Sequence, residues 1–218
     1  MAKEINLQIK NLSKIYDKKT VLNNLNFEVY DGEFLSILGP SGCGKTTLLK
    51  ILIGIEKPTS GNIIKKNEDI TTLDPSKRKM GIVFQNYALF PNMTALKNVE
   101  YALKIKYKNK KIATEEAKKM LKIVNMEEHM NKYPHELSGG QQQRTSIGRA
   151  IITKPAIILA DEPTGNLDSK ASEEVVTLLQ KMNKDYKQTI IMITHNLEIA
   201  SYADRIITIE VGKIVKEK

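Results

Sequence analysis

Glu33-Phe34-Leu35-Ser36-Ile37-Leu38-Gly39-Pro40-Ser41-Gly42-Cys43-Gly44-Lys45-Thr46 decides the fold. The apolar run ending at Leu38 reads as a buried strand, and Lys45 to Ile53 has helical spacing. Between them, Gly39 to Thr46 fits the pattern G-x-x-x-x-G-K-[ST] in the strand–loop–helix context that gives it meaning. Glycines let backbone N–H groups converge on phosphate oxygens without Cβ obstruction. The helix N-terminus adds its dipole and free donors. Lys45 is placed to contact β- and γ-phosphates, Thr46 to ligate Mg²⁺, and Thr47 to reach the α-phosphate. Cys43 reads as a small side chain that fits the loop, although a helix N-terminus can also lower a thiol pKa.

Working outward, Glu4 to Lys10 and Leu25 to Tyr30 alternate apolar and polar residues, as strands of a half-buried antiparallel sheet do. Asn62 to Lys65 and Met80 to Gln85 are further strands. From Ala95 to Lys154 the pattern is helical: Ala95 to Lys106, a helix opening at Thr114 and running to Asn125, and another opening at Ser138. Alternation then returns, with strands at Ala156 to Ala160 and Thr189 to Thr194, helices at Ser169 to Asn183 and Asn196 to Tyr202, and a hairpin of Arg205 to Glu210 and Lys213 to Val215 around Gly212. The expected fold is α/β: a mostly parallel sheet with helices on both faces, an N-terminal antiparallel β subdomain and an inserted helical subdomain. Residues 1–218 form a single domain in this reading, with roughly 1–85 and 156–218 as core and 86–155 as helical insertion.

Two further segments carry chemistry. Ile157-Ile158-Leu159-Ala160-Asp161-Glu162 is an apolar strand ending in two acids, at the edge where open α/β sheets bind ligands. Asp161 is placed to hold Mg²⁺ and Glu162 to polarise an attacking water, which suits phosphoryl transfer; acids at a strand end also serve as helix caps. In Leu137-Ser138-Gly139-Gly140-Gln141, Ser138 occupies an N-cap position, and the glycines leave N–H groups exposed as a second phosphate-binding end. Read alone, this is also an ordinary capped helix.

Composition narrows the classes. A chain of 218 residues, 41% hydrophobic and 27% charged, can bury a core and does not have the makeup of a disordered protein. The net charge of +9 is spread over many lysines, with a local run from Lys104 to Lys111 that reads as a solvated face. No aromatic–basic interleaving suggests a nucleic-acid platform, so no nucleic-acid partner is expected. One cysteine excludes an intrachain disulfide and a cysteine zinc site. The N-terminus lacks the apolar core of a signal peptide, and no run is long enough to span a membrane.

The three motifs in this order resemble the ATP-binding cassette proteins of ABC transporters, over nearly the whole chain. The resemblance implies ATP and Mg²⁺ as ligands, and a head-to-tail homodimer with two ATPs between its subunits. Each ATP would meet Gly39, Pro40, Ser41, Gly42, Cys43, Gly44, Lys45, Thr46 and Thr47 of one subunit, and Ser138, Gly139, Gly140 and Gln141 of the other. It further implies that Tyr16 stacks on adenine and that Gln85 senses Mg²⁺ and the attacking water. In the same way Asp168 communicates across the dimer, where it also suits a cap for the helix at Ser169, and His195 contacts the γ-phosphate. Catalysis then falls to Glu162, His195 and Gln85, and metal binding to Thr46, Gln85 and Asp161. His129 and His135 match no family position and read as surface or loop residues.

A permease subunit in the membrane is the implied partner, which places the chain on the cytoplasmic face of the cell membrane. Thr164-Gly165-Asn166-Leu167-Asp168 is similar to the branch of lipoprotein-releasing, macrolide-export and cell-division ATPases. Phe84 to Thr94 is similar instead to the coupling region of importer ATPases. The expectation is an exporter or extractor, with import of a small solute as the alternative. A soluble, non-transport cassette protein would carry a second cassette, a coiled-coil insertion or zinc-binding cysteines. A P-loop kinase would leave Ser138 to Gln141 without a role.

Overall fold

A computed structural model describes residues 4–103 and 109–218. The start of the chain, Lys104 to Lys108 of the lysine run, and the expected end of a helix at Lys106 lie outside the described residues.

The chain opens with two long strands, β1 (Ile5–Tyr16) and β2 (Lys19–Tyr30), paired antiparallel. Both run further than alternation indicates. Asn11 and Asn24 adopt positive φ (49° and 53°), and the register shifts along the pair, so the inward-facing pattern changes phase midway. Next come β3 (Phe34–Leu38), helix α1 (Lys45–Ile53), β4 (Ser60–Lys65), the two-residue β5 (Glu68–Asp69) and β6 (Met80–Val83). The helical stretch holds α2 (Ala95–Tyr101), α3 (Lys110–Ile123) and α4 (Gly139–Ile151). Then follow β7 (Ile157–Asp161), α5 (Ser169–Tyr186), β8 (Thr189–Thr194), the single turn α6 (Leu197–Ala200), β9 (Arg205–Glu210) and β10 (Lys213–Glu217).

The strands make two sheets, ordered β2-β1-β4-β5 and β10-β9-β3-β8-β7-β6. In the second sheet β9, β3, β8, β7 and β6 run parallel, and β10 closes one edge antiparallel. Strands β3, β7 and β8 are buried along nearly their whole length, which is why they read as continuous apolar runs. One core fills the space between the two sheets and α1, from Leu7 and Phe27 to Leu48, Leu159 and Ile207. The other lies on the opposite face and runs without a break from Phe34, Ile158 and Met192 through α5 into α2, α3 and α4.

Two expectations for local structure change. Thr114 does not start a helix. Asn109 caps α3 by accepting from the Lys111 N–H, and the Thr114 hydroxyl bonds back to the Lys110 carbonyl and to Glu100. The strand beginning at Met80 stops at Val83, because Phe84 and Gln85 turn out of the sheet. Arg78 is a core residue that no pattern in the sequence marks. At 2% exposure, its guanidinium donates to the carbonyls of Ile51, Leu52, Leu73 and Thr71, closing the last turn of α1.

Candidate active site

Parallel register brings the chemistry to one edge. Leu38 pairs with Thr194, Asp161 with Ile193, and Val83 with Ala160. The residues that follow these strand ends are therefore Gly39, His195, Glu162 and Gln85, all at the C-terminal edge of the sheet.

The loop after β3 has a shape that only its glycines permit. A Cβ on Gly39 would sit 2.2 Å from the Ile209 carbonyl oxygen. Gly44, the N-cap of α1, has φ 104° and lies against the Val21 backbone. Lys45 is 4% exposed, and its ammonium donates to the Gly39 and Pro40 carbonyls at 2.7 and 2.8 Å, so it folds back across the loop. Cys43 is buried, with Sγ 3.9 Å from the Lys45 ammonium. A cleft of about 410 Å³ is lined by Ser41, Gly42, Gly44, Lys45, Thr46 and Thr47, together with Val21, Gln85 and Glu162.

Asp161 ends β7 and Glu162 follows it. The Thr46 hydroxyl points to Asp161 Oδ1 at 3.4 Å. Burial raises the Asp161 carboxyl above its ordinary pKa; the Thr46 hydrogen bond pulls it down and the neighbouring Glu162 charge pushes it up. A hydroxyl and a carboxylate converging where negative charge is already disfavoured form an oxygen-donor pair suited to Mg²⁺, with Gln85 on the same cleft. Glu162 has φ 43°, unusual for a residue with a Cβ, and its N–H is anchored on the Ile193 carbonyl at 3.0 Å. Its carboxylate lies 3.1 Å from His195 Nδ1. His195 thus meets the acid directly, a pairing that the motifs alone do not reveal.

Gln85 and Asn166 exchange hydrogen bonds: Gln85 Nε2 to Asn166 Oδ1 at 3.4 Å, and Asn166 Nδ2 to the Gln85 carbonyl at 3.2 Å. Tyr87 adds a bond from its hydroxyl to the Asn166 carbonyl, and Arg149 of α4 holds the Tyr87 and Ala88 carbonyls. Asp168 caps α5 by accepting from the Ala171 N–H at 2.8 Å. Tyr16 ends β1 half-exposed, with the Lys14 ammonium 4.6 Å from its ring centroid, and it does not line the cleft.

Ser138 caps α4 in a reciprocal box with Gln141: Gln141 N–H to Ser138 Oγ at 3.3 Å, and Ser138 N–H to Gln141 Oε1 at 3.0 Å. Gly139 packs under Tyr87 and Leu167, and Gly140 against Ala171. None of these four residues borders the cleft around the phosphate-type loop. Within one chain the structure therefore gathers the loop, Gln85 and both acids, and sets Ser138 to Gln141 apart from them.

Most of this assembly falls within a family match. A family model described as ABC transporter fits residues 22–165. The chain belongs to the ABC transporter family, as an ATP-binding protein. Among curated relatives, an uncharacterised ABC transporter ATP-binding protein of Methanocaldococcus jannaschii, MJ1508, is 43% identical over 220 residues, covering 96% of this chain and 98% of that protein. The spermidine/putrescine import ATP-binding protein PotA of Thermotoga maritima is 41% identical over 211 residues, and the Fe(3+) ions import ATP-binding protein FbpC of Fusobacterium nucleatum 41% over 215. Each alignment covers 96% of this chain, which spans 57% of the length of those two relatives. Two dimeric structures of the ATP-binding cassette MJ0796, one bound to ADP and Pi, superpose with a TM-score of 0.88 at 38% and 39% identity, covering 97% of each chain. The ATP-binding proteins of this family are ATPases. Among the described residues no helix is long and apolar enough to cross a membrane.

Sequence reasoning missed Gln143. It is fully buried, and its Nε2 donates to the Pro163 carbonyl at 2.6 Å and to Phe84 at 3.3 Å, while its Oε1 has no partner. One side chain of α4 thus grips the backbone next to Glu162 and next to Gln85. A signal existed: Gly140, Gln143, Ile147 and Ile151 fall on one helical stripe, and the lone polar member had to be satisfied by something. His129 lies half-buried in the connection between α3 and α4. It touches Gln141, whereas His135 is exposed and stacks on Tyr133.

Proposed function

We propose that this cassette is the ATP-hydrolysing motor of a transporter, working as a single ABC domain on a separate permease subunit at the cytoplasmic face of the membrane. The observation that carries the reading is the separation of two phosphate-binding ends. The Gly39–Thr46 loop and the Ser138–Gln141 cap do not meet in one chain, so a second copy turned head-to-tail completes each site. The dimeric MJ0796 cassettes support the arrangement. In it, the loop amides and Lys45 bind the phosphates, Thr46, Gln85 and Asp161 hold Mg²⁺, and Tyr16 stacks on adenine. The metal would neutralise the phosphate charge. Glu162 takes the proton of the attacking water as the new O–P bond forms and the β,γ-bridging bond breaks, releasing ADP and phosphate. His195 fixes Glu162 through Nδ1, leaving Nε2 to face the γ-phosphate. Asp168 communicates closure across the dimer.

The Thr164–Asp168 variant supports an exporter or extractor of the lipoprotein, macrolide or antimicrobial-peptide type. A second reading, import of a small solute, is favoured by the likeness to the import proteins PotA and FbpC. Reconstitution with the permease, and assay of ATP-driven flux in each direction, separates the two.

The motor itself is tested by Glu162→Gln, which should bind ATP, lose hydrolysis by about 100-fold or more and accumulate an ATP-bound dimer on size exclusion. Ser138→Arg should keep the monomer's ATP affinity and abolish that dimer. Normal turnover in Glu162→Gln would refute the assigned base.

A further inference from the structure

The short helical turn Glu127–His129 precedes α4 and lies outside the catalytic cleft. Its last side chain reaches the head of α4, where His129 Nε2 lies 3.0 Å from Gln141 Nε2. Hydrogen-bond chemistry decides where the ring proton sits. The Ser138 backbone N–H can only donate, and its acceptor is the Gln141 side-chain oxygen. The Gln141 amide nitrogen therefore faces the imidazole. That nitrogen is a double donor, so His129 Nε2 must be an unprotonated acceptor and the proton must sit on Nδ1. Nδ1 is buried and has no partner. The fold thus tolerates an unsatisfied donor, at a cost in stability, at the one ring that fixes Gln141.

We propose that His129, as the neutral Nδ1–H imidazole, is a positioning residue for the ATP site completed in trans: it locks the Gln141 side chain, and with it the first turn of α4. Gln141 has two duties. Its oxygen holds the Ser138 N–H, and its backbone N–H holds the Ser138 hydroxyl. With the side chain clamped at its other end by His129, the Ser138 hydroxyl and the Gly139 and Gly140 amides keep the geometry in which they would meet phosphate. The inference rests on the trans reading of Ser138 to Gln141.

The test uses the Glu162→Gln protein as parent, with ATP-driven dimerisation as readout. His129→Leu removes the acceptor and should weaken dimerisation about three- to tenfold, the worth of a helix cap, with ATP affinity of the monomer unchanged. His129→Gln restores an acceptor that does not titrate. It should dimerise like the parent. Nitrogen NMR of the His129 ring in the nucleotide-free protein should show the Nδ1–H tautomer. An Nε2–H tautomer overturns the inference, as does a His129→Leu protein that dimerises as tightly as its parent. A parent that fails to dimerise with ATP overturns the trans reading instead, while the ring tautomer still decides the His129–Gln141 contact.

Discussion

Replacing Gln143 by leucine removes a side chain that touches neither nucleotide nor solvent, and should slow hydrolysis all the same. The bond to the Pro163 carbonyl is short, at 2.6 Å, and the one to Phe84 is long, at 3.3 Å. Leaving the Pro163 carbonyl buried and unmatched costs about 1–3 kcal/mol, and the Phe84 carbonyl adds less than about 1. Against this, leucine also deletes the orphaned Oε1, which returns about 1 kcal/mol. The net loss is about 0–3 kcal/mol. For a chain of this size that lowers the melting midpoint by roughly 0–12 °C. The functional effect comes from position. Pro163 follows Glu162 and Phe84 precedes Gln85, so both side chains proposed for catalysis lose a support of their backbone, and a shift of about 1 Å can cost up to about 100-fold in rate. We expect kcat to fall about 10- to 100-fold, with ATP affinity unchanged because the Gly39–Thr46 loop is not involved. Gln143→Glu adds a discriminating arm: ionised, it sets a carboxylate against two carbonyl oxygens, and protonated it can donate again, so its activity should recover towards acid pH. Steady-state ATPase, fluorescent-nucleotide titration and thermal melts measure all three quantities. A Gln143→Leu protein with wild-type kcat and wild-type melting would refute the reasoning.

Three further predictions concern single residues. Asp161 has its folded pKa raised above the ordinary 3.8, so its contribution to stability is lost as pH rises through the window above that value, and the buried charge destabilises the nucleotide-free protein there. Asp161→Asn should therefore melt higher than wild type at about pH 7 and lose the extra stabilisation that Mg²⁺ gives with ATP; a lower melting point would contradict the sign. Alkylation of Cys43 should block ATP binding, proceed slowly because the thiol is 6% exposed, and be prevented by ATP; full modification with unchanged binding would sink the idea. Arg78→Met strips donors from four carbonyls and should cost about 3–5 kcal/mol in urea unfolding, while nucleotide affinity of the folded fraction stays the same.

Much of the fold is legible because local rules suffice. Lys45–Ile53 and Thr189–Thr194 appear with the bounds that periodicity indicates, since a glycine loop and full burial fix them locally. Asp161 and Glu162 mark a site because two adjacent acids at the end of a buried strand repel each other unless a cation or a hydrogen-bond donor meets them. Other features depend on partners distant in sequence. Gln143 meets Pro163 and Phe84, Arg78 meets Ile51, and Asn166 meets Gln85, and no short-range pattern encodes such pairings. The left-handed Glu162 is equally invisible, since its conformation is held by the Ile193 carbonyl on a neighbouring strand. The bulged β1 and β2 show the limit of alternation itself: a single extra residue changes the phase while the strand continues.

The distance between the Gly39–Thr46 loop and the Ser138 cap has a consequence for reaction order. On the head-to-tail reading, an isolated molecule owns two half-sites and no whole one. Specific activity should then climb with protein concentration until dimers saturate, and dilution alone should silence the protein. A chain disabled at Lys45 would still lend its Ser138 cap to a neighbour, and a chain disabled at Ser138 would still lend its loop. Mixing the two inert proteins should restore turnover at one of the two sites of each mixed pair.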